Sequence, residues 1–150
     1  MGRRLLTYVC IDTSGSMRGE PIEAVNTGLH ALLASLRQNP YALESVHLSI
    51  LTFDSLIKEV LPLTPLEQVV LPEIVCPDSG ATFLGEALEH VAQAVARNQQ
   101  VSTPDKKGDW QPILIVLTDG KPTDLLVYSE AIPKIQACGF SNIVACAAGP

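Results

Sequence analysis

The fold of this chain is decided by residues 5–16, which read LLTYVCIDTSGS. Residues 5–11 form a near-continuous apolar run, which is typical of a parallel strand covered on both faces. Directly behind this run, Asp12, Ser14 and Ser16 bring one carboxylate and two hydroxyls together. Magnesium and calcium take oxygen ligands, so the cluster indicates a hard-cation site at the end of a strand. Asp and Ser are also common turn residues, and the cluster alone fits a polar loop as well.

Length and composition indicate one globular domain that spans residues 1–150. Hydrophobic residues make up 47% of the chain and charged residues only 17%, which excludes a disordered protein. The net charge is -6 and the charged residues form no runs, which argues against a nucleic-acid or anionic-membrane partner. The apolar runs are far shorter than the roughly 20 residues that cross a bilayer, and no signal-peptide cleavage pattern follows the first run. We therefore expect a cytoplasmic protein.

The cysteines and histidines show neither a metal-site pattern nor a disulfide pattern. The four cysteines lie far apart without a Cys-x-x-Cys pair, and the three histidines do not combine with them at ligand spacing. Cys10 and Cys146 lie inside apolar runs, where a free thiol behaves as a small hydrophobe. A zinc site and a disulfide framework are therefore not expected.

Apolar patterns along the rest of the chain predict strands that alternate with helices. Four further runs predict strands, at residues 46–53, 56–61, 113–118 and 142–147. Three windows with apolar residues at helical spacing predict helices, with faces at residues 22–36, 84–95 and 128–138. Pro133 is expected to kink the third helix or to delay its start. Residues 62–80, which include four prolines, and residues 99–112 are expected to lack regular structure.

This order of elements predicts an α/β fold with a doubly wound, mostly parallel sheet and helices on both faces. The strand at 56–61 follows a tight link, Asp54-Ser55, so it is expected to be an antiparallel edge strand. Ligands of such sheets bind beyond the carboxyl ends of the strands, where the strand order reverses. If the strands at 5–11 and 113–118 flank that point, the loops behind them share one crevice.

Three polar loops carry the candidate site. The first loop holds Asp12, Ser14 and Ser16, the second places Thr82 at the entry to the helix at 84–95, and the third places Asp119 directly after the strand at 113–118. These five residues resemble the metal-ion-dependent adhesion site (MIDAS) of a von Willebrand factor A (vWA) domain, which pairs Asp-x-Ser-x-Ser with a downstream Thr and a downstream Asp. Each residue stands in the expected strand-loop-helix context. The five residues together are therefore a far more specific signature than Asp-x-Ser-x-Ser alone. The resemblance covers essentially the whole chain.

The resemblance implies a Rossmann-like vWA fold and a metal-dependent protein–protein interaction module. It implies that Asp12, Ser14, Ser16, Thr82 and Asp119 hold Mg²⁺, with Mn²⁺ or Ca²⁺ as alternatives. A Glu or Asp of a partner protein is then expected to complete the coordination of the ion. The chain looks closest to bacterial TerY-like proteins of tellurite-resistance operons. That likeness implies a stress-resistance signalling complex and a kinase-like or phosphatase-like operon neighbour as the partner.

Several of these residues have a simpler alternative role. Thr82 is also a good N-cap for the helix that follows it. Thr123 and Asp124 are expected to form a turn and a helix cap and not to bind the metal. Lys121 is expected to be a solvated loop residue. Trp110 is expected to pack locally, with an exposed contact role as the alternative.

The main alternative function is a phosphotransfer or hydrolase enzyme that uses the same cation site. A haloacid-dehalogenase-type phosphatase carries a second Asp as acid/base where this chain has Ser14. Phosphate-cradling glycine motifs are missing from the sequence, and no His falls in the three loops to activate a serine. The sequence therefore favours a binding protein that is not an enzyme.

One departure from the vWA pattern concerns the end of the sequence. Such domains usually carry a further strand and a last helix after the strand that ends near Ala148, whereas this sequence stops at Pro150. The expectation is a domain truncated at its C-terminal end, with one sheet edge and one sheet face under-covered. Low stability, self-association through the exposed last strand, or a partner that covers it would follow.

Overall fold

The computed structural model describes residues 3–76, 81–105, 107–118 and 124–147. The strands are β1 (Leu5–Asp12), β2 (Val46–Phe53), β3 (Ile57–Pro65), β4 (Ile113–Thr118) and β5 (Asn142–Ala147). The α-helices are α1 (Glu20–Arg37), α2 (Pro40–Ser45), α3 (Leu84–Asn98) and α4 (Leu125–Ala137). Two short 3-10 helices, Gly15–Met17 and Leu66–Gln68, follow β1 and β3.

The five strands form one sheet in the order β3-β2-β1-β4-β5. β1 pairs in parallel with both β2 and β4, β4 pairs in parallel with β5, and β3 joins β2 as an antiparallel edge strand. The predicted fold class is confirmed, including the antiparallel edge. β1 and β4 are neighbours although most of the chain lies between them, so the strand order reverses there. The carboxyl ends of β1 and β4 therefore lie side by side at the point where ligands of such sheets bind.

The two faces of β1 belong to two different hydrophobic cores, because side chains alternate along a strand. Tyr8 and Cys10 face the core beneath α3 and α4. Val9 and Ile11 face the core beneath α1. Burial on both sides explains why this strand is a near-continuous apolar run in the sequence. Burial also raises the pKa of the Cys10 thiol to about 12.

The secondary structure differs from the prediction at three places. β3 runs on through Pro62 to Pro65, since an edge strand tolerates prolines whose missing N–H would have faced solvent. α2 was not predicted, although Asn39 caps it by accepting hydrogen bonds from the N–H groups of Tyr41 and Ala42, and Pro40 suits its first turn. α4 begins at Leu125 and contains Pro133, so this proline does not delay the start of the helix. Pro133 is exposed, so water can satisfy the carbonyl that loses its helical donor.

The described part of residues 99–112 contains no helix or strand, as predicted, but it is fastened to the start of β1. Arg4 donates hydrogen bonds of 2.9 and 2.8 Å from Nε and Nη2 to the two carboxylate oxygens of Asp109. The Trp110 N–H donates to the Arg4 carbonyl at 2.8 Å. The Trp110 ring is 49% exposed, and the Arg3 guanidinium stacks 3.7 Å from its centroid. Trp110 is therefore both packed locally and partly open to solvent.

β5 is the less protected edge of the described sheet. Its residues Ile143 and Val144 are 52% and 42% exposed.

An apolar groove of about 300 Å³ lies on the same side of the sheet as α1, and Ile115 and Leu117 of β4 help to line it. Among the described residues, no helix is long and apolar enough to cross a membrane.

We predict that substitution of Asp109 by Asn destabilises the domain by about 2–3 kcal/mol at neutral pH, because it leaves the Arg4 charge without its partner. Burial alone would raise the pKa of the Asp109 carboxyl, but hydrogen bonds from the Arg4 side chain and the Gln100 N–H hold it below its usual value. A carboxyl with a depressed folded-state pKa loses its stabilising contribution as the pH falls through that pKa. The difference between wild type and variant should therefore shrink in acid. Urea unfolding at several pH values measures the difference in free energy of unfolding between the two proteins. A difference that does not change with pH would contradict the prediction.

Self-association through β5 also remains a prediction, because among the described strands β5 is paired only with β4, and strand edges without charges pair readily with other chains. Sedimentation velocity should show a mass that rises with concentration for the wild type. Val144→Lys places a charge on the edge and should restore the monomer. Val70→Lys is the matched control, because Val70 is 82% exposed and lies outside the sheet. A wild type that remains monomeric at every concentration would contradict the prediction.

Candidate metal site

Asp12 is the last residue of β1 and lies at the centre of the candidate site. Its side chain is fully buried. One carboxylate oxygen accepts the N–H of Ser14 at 2.8 Å, and the other accepts the hydroxyl of Thr118 at 2.7 Å. The first bond shapes the loop behind β1, and the second joins that loop to the end of β4. No Lys, Arg or His among the described residues forms an ion pair with this carboxylate. Burying a charged carboxylate without a cationic partner is costly.

The hydroxyls of Ser14 and Ser16 lie side by side in the first loop. Their oxygens are 3.3 Å apart. Ser14 is buried and Ser16 is exposed, so the pair extends from the interior to the surface. The 3-10 turn that follows is fixed by Met17, whose N–H donates to the Ser14 carbonyl at 2.9 Å and whose side chain is fully buried. The turn therefore places both hydroxyls on one side of the loop.

The spacing of these two oxygens suits a divalent cation. Two adjacent ligands of an octahedral ion with bonds of about 2.1 Å stand about 3.0 Å apart. With the longer bonds of calcium the separation is about 3.4 Å. The observed oxygen–oxygen distance of 3.3 Å lies within reach of either ion. The donor set here consists mainly of hydroxyls, and within the described ranges no three His, Cys, Asp or Glu side chains form a metal-binding group.

Thr82 belongs to the second loop, and it is 7% exposed. The N–H of the next residue, Phe83, donates to the Asp54 carbonyl at 3.0 Å, which fastens this loop to the end of β2. Phe83 and not Thr82 occupies the N-cap position of α3. The alternative role of Thr82 as the cap of α3 is therefore wrong.

Asp119, the fifth predicted site residue, lies outside the described residues, as do Lys121 and Thr123. Thr118, which precedes Asp119 in the sequence, is the residue that bonds to Asp12. The structure thus brings together Asp12, Ser14 and Ser16 in one loop and carries the end of β4 to the same carboxylate.

Asp124 is a helix cap, as predicted, but it caps a different helix from its own. Its two carboxylate oxygens accept the N–H groups of Gly85 and Glu86 at 3.0 and 2.8 Å, in the first turn of α3. Its own helix, α4, receives no side-chain cap from it. A Cβ on Gly85 would lie 2.2 Å from the Tyr128 nitrogen, so only glycine lets α3 and α4 approach this closely. These contacts join the helix behind the second loop to the helix behind the third.

Two further residues of the site were not predicted from the sequence. The Thr13 hydroxyl donates to the Asp54 carboxylate at 2.7 Å, and both side chains are almost fully buried. Asp54 was interpreted only as part of the link between two strands. Its position directly behind β2, a parallel neighbour of β1, is the signal that could have identified it, since the carboxyl ends of parallel strands face the same crevice.

Comparison with known proteins identifies the family. The family model described as the von Willebrand factor type A domain matches residues 7–121. That range contains all five predicted site residues. No curated protein matches this chain.

Solved structures show the same fold at low sequence identity. Proximal thread matrix protein 1 from the mussel byssus has a TM-score of 0.66 and 20% identity over 95% of this chain and 37% of its own. The ArnB paralog VWA2 from Sulfolobus acidocaldarius has a TM-score of 0.56 and 23% identity over 81% of this chain and 29% of its own. An aerotolerance-related membrane protein from Bacteroides fragilis has a TM-score of 0.57 and 17% identity over 97% of this chain and 68% of its own. The chain thus spans well under half the length of the first two proteins, and identities this low show the fold alone.

We predict that Asp124→Ala destabilises the domain by about 1 kcal/mol, because two N–H groups of the first turn of α3 lose their acceptor. Glu130→Ala removes a carboxylate from an exposed position of α4 and is the matched control. Thermal unfolding of both variants provides the comparison. Equal stabilities of the two variants would show that the cap contributes nothing.

Proposed function

We propose that this chain, which belongs to the von Willebrand factor type A domain family, is a protein-interaction module that binds its partner through a divalent cation. Members of this family often mediate protein–protein interactions. The metal, the partner and the cellular setting are the proposed parts. The proposed metal site consists of Asp12, Ser14, Ser16, Thr82 and Asp119.

The observation that carries the proposal is the chemistry of the first loop. A fully buried carboxylate, Asp12, stands two residues before a hydroxyl that lies 3.3 Å from a second hydroxyl. A divalent ion at this point would compensate the buried charge and accept oxygen ligands at a separation that suits it. Asp12 would then act through its hydrogen bond to the Ser14 N–H, which orients the loop that carries both hydroxyls.

The same chemistry supports a protein partner. Hydroxyl ligands are neutral, so an ion held by Ser14, Ser16 and Thr82 keeps most of its charge and attracts a further anionic ligand. Ser16 is exposed, which leaves the site open on the side of the solvent. A Glu or Asp of another protein is the proposed sixth ligand. Magnesium is the preferred ion because it keeps open or water-filled positions in its coordination shell. Manganese and calcium are the alternatives.

We propose binding and not catalysis for this site. In the structure the Ser14 hydroxyl lies beside the Ser16 hydroxyl. A nucleophilic serine needs a neighbouring base, and the three histidines of the sequence belong to α1, β2 and α3 and not to the three loops.

A cytoplasmic role in a bacterial tellurite-resistance complex is also proposed, with a kinase-like or phosphatase-like protein as the partner. This part of the proposal rests only on the sequence resemblance to TerY-like proteins.

Calorimetric titration with Mg²⁺ tests the metal claim. The wild type should bind one ion, and Ser16→Ala should weaken Mg²⁺ binding at least about tenfold, because it removes a proposed hydroxyl ligand from an exposed position. Ser129→Ala removes an exposed hydroxyl from α4 and should bind like the wild type. Absence of binding in the wild type, or equal binding by all three proteins, would refute the claim.

The partner claim has a separate test. The kinase-like and phosphatase-like neighbours should be captured by the wild type in Mg²⁺ and released by a chelator, and Ser16→Ala should capture less of them. Capture that persists in the chelator would show an interface that does not use the ion.

A further inference from the structure

Asp54 stands directly behind β2 and is 2% exposed. β2 lies beside β1 in the sheet, and Phe53, the residue before Asp54, is paired with Asp12. A second buried carboxylate therefore lies at the same end of the sheet as Asp12. It is neither one of the five residues proposed for the metal site nor the helix cap Asp124.

The carboxylate of Asp54 is fixed by its own turn. One oxygen accepts the Leu56 N–H at 2.9 Å, while the Asp54 N–H donates to the Leu56 carbonyl at 3.1 Å. These two bonds set the orientation of the side chain. The other carboxylate oxygen then accepts the Thr13 hydroxyl at 2.7 Å. The oriented carboxylate of Asp54 thus holds Thr13, the residue between Asp12 and Ser14.

The main chain of the same residue holds the second loop. The Asp54 carbonyl accepts the Phe83 N–H at 3.0 Å, one residue after Thr82. Asp54 therefore joins the loop that carries Ser14 and Ser16 to the loop that carries Thr82. Thr13 is further secured by its N–H, which donates to the Phe53 carbonyl at 2.8 Å.

We propose that Asp54 is a positioning residue for the cation site and sets the separation of these two loops. The inference rests on the proposed function, because it concerns the affinity of that site for its ion. Magnesium demands near-ideal geometry at bonds of about 2.1 Å, so a small displacement of one loop against the other weakens binding. Asp54 acts through Thr13 and Phe83 and does not itself contact the ion.

Thr13→Val tests the proposal first, because it removes the hydroxyl that Asp54 holds and keeps the shape of the side chain. Ser49→Ala is the matched control, since Ser49 is a buried residue of β2 whose hydroxyl donates to the Leu61 carbonyl at 3.1 Å, within the sheet. Both variants should lose a similar amount of thermal stability without metal. Only Thr13→Val should weaken Mg²⁺ binding in calorimetry, by about tenfold or more. Equal Mg²⁺ affinity of the two variants would overturn the proposal.

Two substitutions of Asp54 distinguish a positioning role of its side chain from an effect of its charge on Mg²⁺ affinity. In Asp54→Asn the amide oxygen can still accept the Leu56 N–H, and the amide nitrogen can donate to the Thr13 hydroxyl, which turns to the Phe53 carbonyl 3.2 Å away. Asp54→Asn should therefore bind Mg²⁺ within about threefold of the wild type, and Asp54→Ala should lose tenfold or more. If Asp54→Asn loses as much Mg²⁺ affinity as Asp54→Ala, Asp54 acts through its charge and the proposed positioning role is wrong. A wild type that binds no Mg²⁺ refutes the proposed function itself, so the two failures are distinguishable.

Discussion

The burial of one carboxylate, that of Asp12, at the point where the strand order reverses is the constraint on which this structure depends. β1 is apolar enough to lie at the centre of the sheet, and it ends in Asp12, whose carboxylate is fully buried. Its two hydrogen bonds, from the Ser14 N–H and the Thr118 hydroxyl, bind the first loop to the end of β4.

Near this carboxylate, three aspartates connect the loops and helices at the carboxyl edge of the sheet. Asp12 joins the first loop to β4, Asp54 joins the first loop to the second, and Asp124 joins the helix behind the second loop to the start of α4. Asp12 and Asp124 make their connections through the carboxylate, whereas Asp54 holds the first loop by its carboxylate and the second loop by its main-chain carbonyl. Acidic residues at the carboxyl ends of the strands thus have a structural task whether or not they contact an ion.

The sheet, its antiparallel edge and the first loop were predictable because their signals are local. A central parallel strand must be apolar throughout, and Asp-x-Ser-x-Ser places its oxygens by sequence spacing alone. The role of Asp54 was not predictable in that way, since Asp-Ser between two strands is also an ordinary turn, and its bond to Thr13 spans 41 residues. The choice of helix that Asp124 caps likewise depends on how closely α3 and α4 approach at Gly85. β3 exceeded its predicted length because the prolines that argue against a strand are tolerated at the edge of a sheet.

The fold is shared by proteins as different as a mussel byssus matrix protein and a Sulfolobus ArnB paralog, so the function must be argued from the site. The most direct measurement is an anomalous diffraction map from crystals grown with Mn²⁺. The account predicts one strong peak about 2.1 Å from the hydroxyl oxygens of Ser14 and Ser16, with Thr82 in the same coordination shell. No peak between these hydroxyls, or a peak only at carboxylates on the exposed surface, would contradict it.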